Sequence, residues 1–209
     1  MNRWETPIGS FDLEVGEDGV SKVVMAGEDA VPPVDPALGE ALTEHLHGRA
    51  GALRLDLQGE SPLAQMTLAK LLEIPFGEVR PYAWVAQQIG RPTATRSVAT
   101  AVAGNPVPLL IPCHRVVRSD GYMGEFSLGG ADLKRKILEF ESVDIAALEA
   151  LARRNVRYIV DADEGVAHLP SCRSAPVDGD KARQELRSIK LWDGEPLRAC
   201  PRCHPPLEE

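Results

Sequence analysis

Long apolar runs, cysteine and positive charge are all scarce in this chain, and each scarcity excludes something. No stretch of the 209 residues approaches the roughly 18 consecutive apolar residues that a membrane-crossing helix needs. The opening Met1-Asn2-Arg3-Trp4-Glu5 lacks the basic-then-apolar layout of a secretory leader. Four cysteines are too few for a secreted disulfide scaffold of this length and suit a reducing, cytoplasmic setting. A formal net charge of −8 argues against nucleic acid as the default partner. The rest is ordinary for a folded protein, 44% hydrophobic and 26% charged. The length allows one large domain or two to three small ones, with a sizeable core.

The charge is unevenly distributed. Between Ile74 and Glu141 there are eight basic and six acidic residues, a local balance of +2, so the remainder carries −10. Global charge sets long-range steering, while a local patch makes the contacts. A nucleic-acid partner therefore stays open for this segment alone, with modest affinity and strong salt dependence.

That segment carries the most informative pattern in the chain. Pro112-Cys113-His114-Arg115 closes the apolar run Val107-Pro108-Leu109-Leu110-Ile111. A thiol at the end of a buried stretch can be kept rigid and dry until a substrate arrives. The attacking form is the thiolate, and free cysteine supplies only a few per cent of it at neutral pH. An adjacent histidine that removes the proton, directly or through one water, answers that need.

Around this centre lie Ile74-Pro75-Phe76-Gly77-Glu78-Val79, Tyr82-Ala83-Trp84-Val85-Ala86, Arg96-Ser97-Val98 and Gly104-Asn105-Pro106, then Gly124-Glu125-Phe126-Ser127, Gly129-Gly130, Lys134 and Glu141. In this order and spacing, from about Ser61 to Glu141, the chain resembles the O6-alkylguanine-DNA alkyltransferases. The resemblance implies a partner, double-stranded DNA containing O6-alkylguanine, and a reaction in which Cys113 takes the alkyl group once and keeps it; O4-alkylthymine is a further expected substrate. By the same resemblance the catalytic set is Cys113, His114, Glu141 and Asn105, with Glu141 orienting the imidazole and Asn105 tying the recognition helix to an active-site strand. Tyr82, Ala94, Thr95, Arg96, Ser97 and Arg115 would contact DNA, Tyr82 at a phosphate and Arg96 in the place of the extruded base. Phe126, Ser127 and Val117 would line the substrate pocket. Phe126 stands where the family often has Tyr, and Leu128 reads as an insertion before Gly129-Gly130. Leu63, Ala64 and Leu68 replace the usual Phe, Gln and Trp, a change expected to repack a helix. No organic cofactor is implied, and the chain is expected to act as a monomer.

The expected fold class is α/β (α+β) in three units: residues 1–58, 59–145 and 146–209. In the first, Pro7 to Val15 and Val20 to Met25 read as paired strands around the turn Gly16-Glu17-Asp18-Gly19. Ala37 to His47 reads as a helix with His45 and His47 solvated at its end, and Arg54 to Leu57 as a third strand; the family implies a small sheet with a helix, ribonuclease-H-like in outline. In the second unit, Ser61-Pro62 opens a helix to Leu72 on which Leu63, Met66, Leu68 and Leu71 are apolar. Segments 82–89 and 93–103, joined by Gly90-Arg91-Pro92, have the helix-turn-helix layout, which the resemblance places in a helical, winged-helix-like DNA-binding and catalytic domain. Its second helix is rich in small residues, which allows close approach to a groove or to another helix. A connecting helix from Ala146 to Arg154 leads to a separate small unit.

In that last unit His168-x₃-Cys172 and Cys200-x₂-Cys203 are separated by 27 residues. Three thiols and an imidazole suit tetrahedral zinc. Pro170-Ser171-Cys172-Arg173 and Arg198-Ala199-Cys200-Pro201-Arg202-Cys203-His204-Pro205 resemble the metal-binding domain of the bacterial adaptive-response (Ada) methyltransferase. That domain has four cysteines, and the one matching His168 also accepts methyl from phosphotriesters. Histidine there implies structural zinc without phosphotriester repair, with His204 as a reserve ligand. The order of modules is also different, and transcription control is not expected. Two rival readings from other classes are a non-catalytic alkyl-base damage sensor and a zinc-bearing DNA-binding regulator; the presence of Cys113 argues for chemistry.

Overall fold

The structure is a computed structural model and describes residues 1–49 and 53–207; the expected limits 1–58 and 146–209 also take in residues outside that range. The first element group is a three-stranded antiparallel sheet in the order β1 (Asn2–Thr6), β2 (Gly9–Gly16), β3 (Gly19–Met25). Trp4 pairs with Phe11 and Leu13 with Val23, so alternate residues of the central strand enter the core. Strand β1 escaped sequence reading because its five residues mix charged and apolar types. Pro7 and Ile8, expected inside a strand, form the turn between β1 and β2, where the Thr6 hydroxyl accepts from the Ile8 and Gly9 amides. The expected third strand at Arg54 to Leu57 reduces to a single parallel bridge between Val20 and Leu55. Helix α1 (Pro36–Leu46) starts on the Asp35 side chain, which accepts from the Ala37 and Leu38 amides.

Four helices form the middle of the chain. Helix α2 (Pro62–Leu71) has Ser61 as its cap, accepting from the Ala64 amide. Its buried stripe is Ala64, Thr67, Leu68 and Leu71, one position off the expected face, and Met66 points outward. Strand β4 (Arg80–Pro81) runs straight into helix α3 (Tyr82–Gln88), and helix α4 (Thr95–Ala103) follows the turn at Gly90. Strand β4 pairs in parallel with β5 (Val116–Val117), Arg80 opposite Val116 and Pro81 opposite Val117. This short ladder fixes the start of α3 beside the residues that follow Cys113. Helix α5 (Gly130–Phe140) packs back over this region.

The resemblance ties Asn105 to an active-site strand, but the connection from α4 to β5 is a loop. Pro106, Pro108 and Pro112 lack the N–H that a ladder needs, and Leu109 has φ of 73°. The segment is a buried, knotted-down loop in which Val107, Leu109, Leu110 and Ile111 all lie in the core, and it ends in a single 3₁₀ turn, Cys113–Arg115.

Helix α6 (Ile145–Arg153), close to the expected connecting helix, leads to a four-stranded sheet in the order β8 (Arg183–Leu186), β6 (Tyr158–Asp161), β7 (Val166–His168), β9 (Arg198–Ala199). Val166, Leu169, Cys172, Cys200 and Cys203 belong to the same continuous core as Trp84, Val85 and Cys113.

Candidate functional site

Cys113 is 3% exposed and forms part of the wall of a cavity of about 400 Å³. Tyr82, Val102, Ala103, Arg118, Gly124, Glu125, Phe126 and Ser127 complete the lining. The thiol is held from behind by Asn105, whose Nδ2 donates to Cys113 Sγ at 3.0 Å and to the Ile111 carbonyl at 3.0 Å. Asn105 Oδ1 in turn accepts from the Val107 amide at 3.1 Å. One side chain therefore closes the loop between α4 and the thiol. Burial pushes the Cys113 thiol up to about 11, against the opposing effects of the Asn105 hydrogen bond and the charge of Lys134. At rest this is a protonated thiol in the cavity wall.

His114 is also buried, and its Nε2 lies 2.8 Å from Glu141 Oε1. An ionised carboxylate only accepts, so Nε2 carries the proton and Nδ1 keeps its lone pair. Nδ1 is buried with no partner. Burial holds the imidazole below its ordinary range, opposed by the hydrogen bond and charge of Glu141. Burial alone would raise the Glu141 carboxyl, but the hydrogen bonds and charges of His114 and Arg115 outweigh it and bring it down to about 2. Phe126 meets the His114 ring edge-on at 6.2 Å.

Arg115 corrects an expectation. Instead of facing DNA, its side chain is 12% exposed and locked onto Glu141, with Nη2 2.8 Å from Oε1 and Nε 2.9 Å from Oε2, while Nη1 donates to the Ile74 carbonyl at 2.8 Å. The Gly77 amide adds a donor to Glu141 Oε2 at 3.2 Å. Gly77 has φ of +76°, and a Cβ there would overlap the Arg173 guanidinium and the Glu141 carbonyl, so only glycine fits. Val117 is the second correction: it packs with Val79, Leu138, Val143 and Ile145, away from the thiol cavity. His45 is the third, being half-buried with Nε2 2.8 Å from the Leu110 carbonyl, which ties α1 to the thiol loop.

Tyr82 heads α3 and is half-buried, Arg96 and Ser97 are exposed on α4, and Ala94 and Thr95 are partly exposed at its start. Sequence reading assigned no role to Lys134, which is buried and donates to the Val116 and Met123 carbonyls at 2.7 and 2.6 Å. Burial brings its ammonium down to about 8. The signal was available: Lys134, Ile137, Leu138 and Glu141 fall on one helical face, and charges on a buried stripe require partners.

A second cluster joins His168, Cys172, Cys200 and Cys203, all buried, with ligand atoms within 4.8 Å of one another. Parallel pairing of β7 with β9 sets Ala167 opposite Ala199, so His168 and Cys200 leave the ladder side by side. His204 is exposed and outside the cluster. These residues could hold a metal ion.

Comparison with known proteins follows the same division. A family described as "6-O-methylguanine DNA methyltransferase, DNA binding domain" matches residues 62–143, which include the whole thiol site. The mouse methylated-DNA–protein-cysteine methyltransferase is 32% identical over 169 residues, covering 66% of this chain and 79% of its own. The human protein of the same name is 34% identical over 161 residues, covering 66% and 77%. The chain belongs to the methylated-DNA–protein-cysteine methyltransferase family. A crystal structure of Mycobacterium tuberculosis OGT in complex with DNA superposes on this member of the family with a TM-score of 0.57 at 29% identity, covering 70% of this chain and 96% of the other. The family match ends at residue 143, before the first residue of the metal cluster.

Proposed function

We propose that this methyltransferase repairs duplex DNA by moving the alkyl group of O6-alkylguanine, and of O4-alkylthymine, irreversibly onto Cys113. The observation that carries this reading is the thiol in the cavity wall, braced by Asn105 and adjoining a His114–Glu141–Arg115 relay. A base must leave the stack to reach such a wall, at a cost of a few kcal/mol that is smaller for a poorly paired lesion. Tyr82, at the cavity rim, would crowd a phosphate, and Arg96, on the exposed face of α4, would fill the vacated place. Ala94, Thr95 and Ser97 would lie against the groove, where small side chains permit close approach. Phe126 and Ser127 would border the entering base.

In the chemical step the sulfur forms a bond to the alkyl carbon as that carbon's bond to O6 breaks. The electron pair of the broken bond goes to the guanine, which takes up one proton from water, and the proton left on His114 returns to water. The thiol proton passes through a water to His114 Nδ1, whose lone pair is free because Nε2 is committed to Glu141. A thiol near 11 at rest favours this concerted use of a base over a standing thiolate. The thioether product has no leaving route, so each chain reacts once.

The His168–Cys172–Cys200–Cys203 cluster fits zinc in a structural, Ada-like module. Zn–S bonds of about 2.3 Å in a tetrahedron put sulfurs about 3.8 Å apart, and Cys172 Sγ lies 3.9 Å from Cys200 Sγ. His168 Nδ1 is a buried polar atom without a partner. Bound zinc would supply cross-linking of four chain segments and no step of the reaction. The three units at 1–58, 59–145 and 146–209, ribonuclease-H-like, winged-helix-like and zinc-bearing, are our reading of a mixed α/β fold with a sheet toward each end of the chain and the β4–β5 ladder between them. No described helix is long and apolar enough to cross a membrane; we take the protein to act in the cytoplasm as a monomer. Incubation with duplex containing O6-methylguanine, followed by peptide mass analysis, tests the reaction. Methyl on the Cys113 peptide is the expected result, and lesion binding with an unmodified thiol would refute it.

A further inference from the structure

The metal cluster and the thiol site are joined through one stretch of chain, Gly77 to Trp84. On the cluster side, a candidate ligand and immediate neighbours of candidate ligands make hydrogen bonds to it. Ser171 Oγ donates to the Val79 carbonyl at 2.7 Å and accepts from the Val79 amide at 3.2 Å, pairing with that residue as a strand would. The Cys203 carbonyl accepts from Trp84 Nε1 at 2.7 Å. Arg202 donates through Nε and Nη2 to Glu78 Oε1 at 2.7 and 2.6 Å. Glu78 is fully buried, and its other oxygen accepts from Arg80 at 2.7 Å. Arg80 in turn lies over the Trp84 ring at 5.6 Å. Arg173 lies against Gly77.

The same stretch reaches the thiol site at three places. The Gly77 amide donates to Glu141, the acid that orients His114. Arg80 and Pro81 form the ladder with Val116 and Val117, immediately after the Cys113 turn. Tyr82 lines the thiol cavity. A buried carboxylate with two arginines is an expensive arrangement to leave half-made, so the contacts at Glu78 form together or not at all.

We propose that the metal centre is a latch on the alkyl-acceptor site, with Arg202 and Ser171 as positioning residues that hold Gly77–Trp84 and thereby fix Tyr82 and Glu141. This rests on the alkyl-transfer reading for its rate arm alone. With the four ligands drawn onto one ion, residues 171–173 and 200–203 are fixed relative to each other and grip the stretch from two sides. Without the ion, nothing covalent links those two segments, and the grip depends on side-chain hydrogen bonds.

The test uses the full chain loaded with zinc and a double variant, Arg202→Ala with Ser171→Ala, which keeps all four ligands. Zinc content, hydrogen exchange in peptides spanning residues 77–84, and single-turnover methyl uptake from an O6-methylguanine duplex are measured together. Zinc is expected to stay stoichiometric, exchange across 77–84 to rise, and uptake to slow about tenfold, as small misplacements near a reacting centre do. The end point should remain one methyl per chain, and Arg202→Lys should recover part of the rate. Unchanged exchange and rate with zinc retained would overturn the latch. Should the double variant not fold, chelation of zinc from the wild-type chain gives the same readouts: exchange in 77–84 should rise and fall back when zinc is restored, and indifference to zinc would overturn it. The exchange arm needs no reaction, so a wild-type chain that takes up no methyl would sink the alkyl-transfer reading alone.

Discussion

Cys113 and the Cys172–Cys200–Cys203 trio are equally buried, yet their surroundings give them opposite chemistry. Around Cys113 no second thiol is present; burial raises it to about 11, and a single amide braces it. Around Cys172 the neighbours are thiols: the hydrogen bond from Cys203 holds its thiol below the ordinary range, while that bond and burial push Cys203 up. A lone buried thiol stays protonated until a base and a substrate arrive together. Crowded thiols share protons and favour a cation in their midst. Burial therefore does not decide a cysteine's role; the groups facing the sulfur do.

The sharpest way to break this contrast is to swap oxygen for sulfur on each side. Cys113→Ser should abolish methyl uptake completely while leaving lesion binding, since the poorly nucleophilic hydroxyl has no comparable activation in that wall. Cys200→Ser should lower zinc content and slow uptake, yet the methyl should still be found on Cys113. Peptide mass analysis after exhaustive reaction reads both. Methyl recovered on Cys172, Cys200 or Cys203 would erase the distinction.

A second test concerns acid. Glu141 is buried, and its carboxyl lies near 2 when folded against an ordinary value of 4.5. Its folded value is depressed, so its contribution to stability is present above the ordinary carboxylate range and is lost as pH falls from about 4.5 toward 2. At one unit for about 1.4 kcal/mol, the full contribution is roughly 3 kcal/mol. Denaturant unfolding of the wild type between pH 6 and pH 2.5 should show this loss. Glu141→Gln should flatten that part of the profile while lowering stability at neutral pH, because Arg115 and the Gly77 amide lose a charged acceptor. An unchanged acid limb in the variant would mean that Glu141 is not held as described.

What could be read from the sequence follows chain proximity. The Cys113-His114 pair, the Asn105 turn and the H-x₃-C and C-x₂-C pairs are each local, and the structure assembles them near where they were sought. Arg115 was misassigned because its partner Glu141 is 26 residues away, and a surface-type residue beside a catalytic one looks available for DNA. Val117 was misassigned because a two-residue strand offers no period from which to tell its inner face. The active-site strand that the resemblance implied beside Asn105 is a loop, since Pro106, Pro108 and Pro112 cannot donate to a ladder. Nothing in the sequence linked Arg202 to Glu78 or Ser171 to Val79, since contacts across 124 and 92 residues leave no local trace.

The smallest expected effect separates the two centres by what must move to reach them. A cluster that could hold a metal takes a free ion, whereas Cys113 takes a base that has to be carried into its cavity. Arg96 is exposed on α4 and packs against nothing that α4 needs for folding, whose buried residues are Val98 and Val102. Arg96→Ala should therefore leave melting and zinc content unchanged. If its guanidinium occupies the place of an extruded base, loss of that interaction should slow methyl uptake from duplex by a few-fold to about tenfold, in line with a base-flipping cost of a few kcal/mol that the side chain only partly offsets. Uptake from single-stranded oligonucleotide, where no stack has to be opened, should be far less affected. If Arg96 instead contacts a phosphate alone, both substrates should weaken together and the slope of log K against log salt should fall by about one. The ratio of duplex to single-strand rates, measured in the wild type and in Arg96→Ala at fixed salt, distinguishes a side chain that replaces a base from one that merely attracts the backbone.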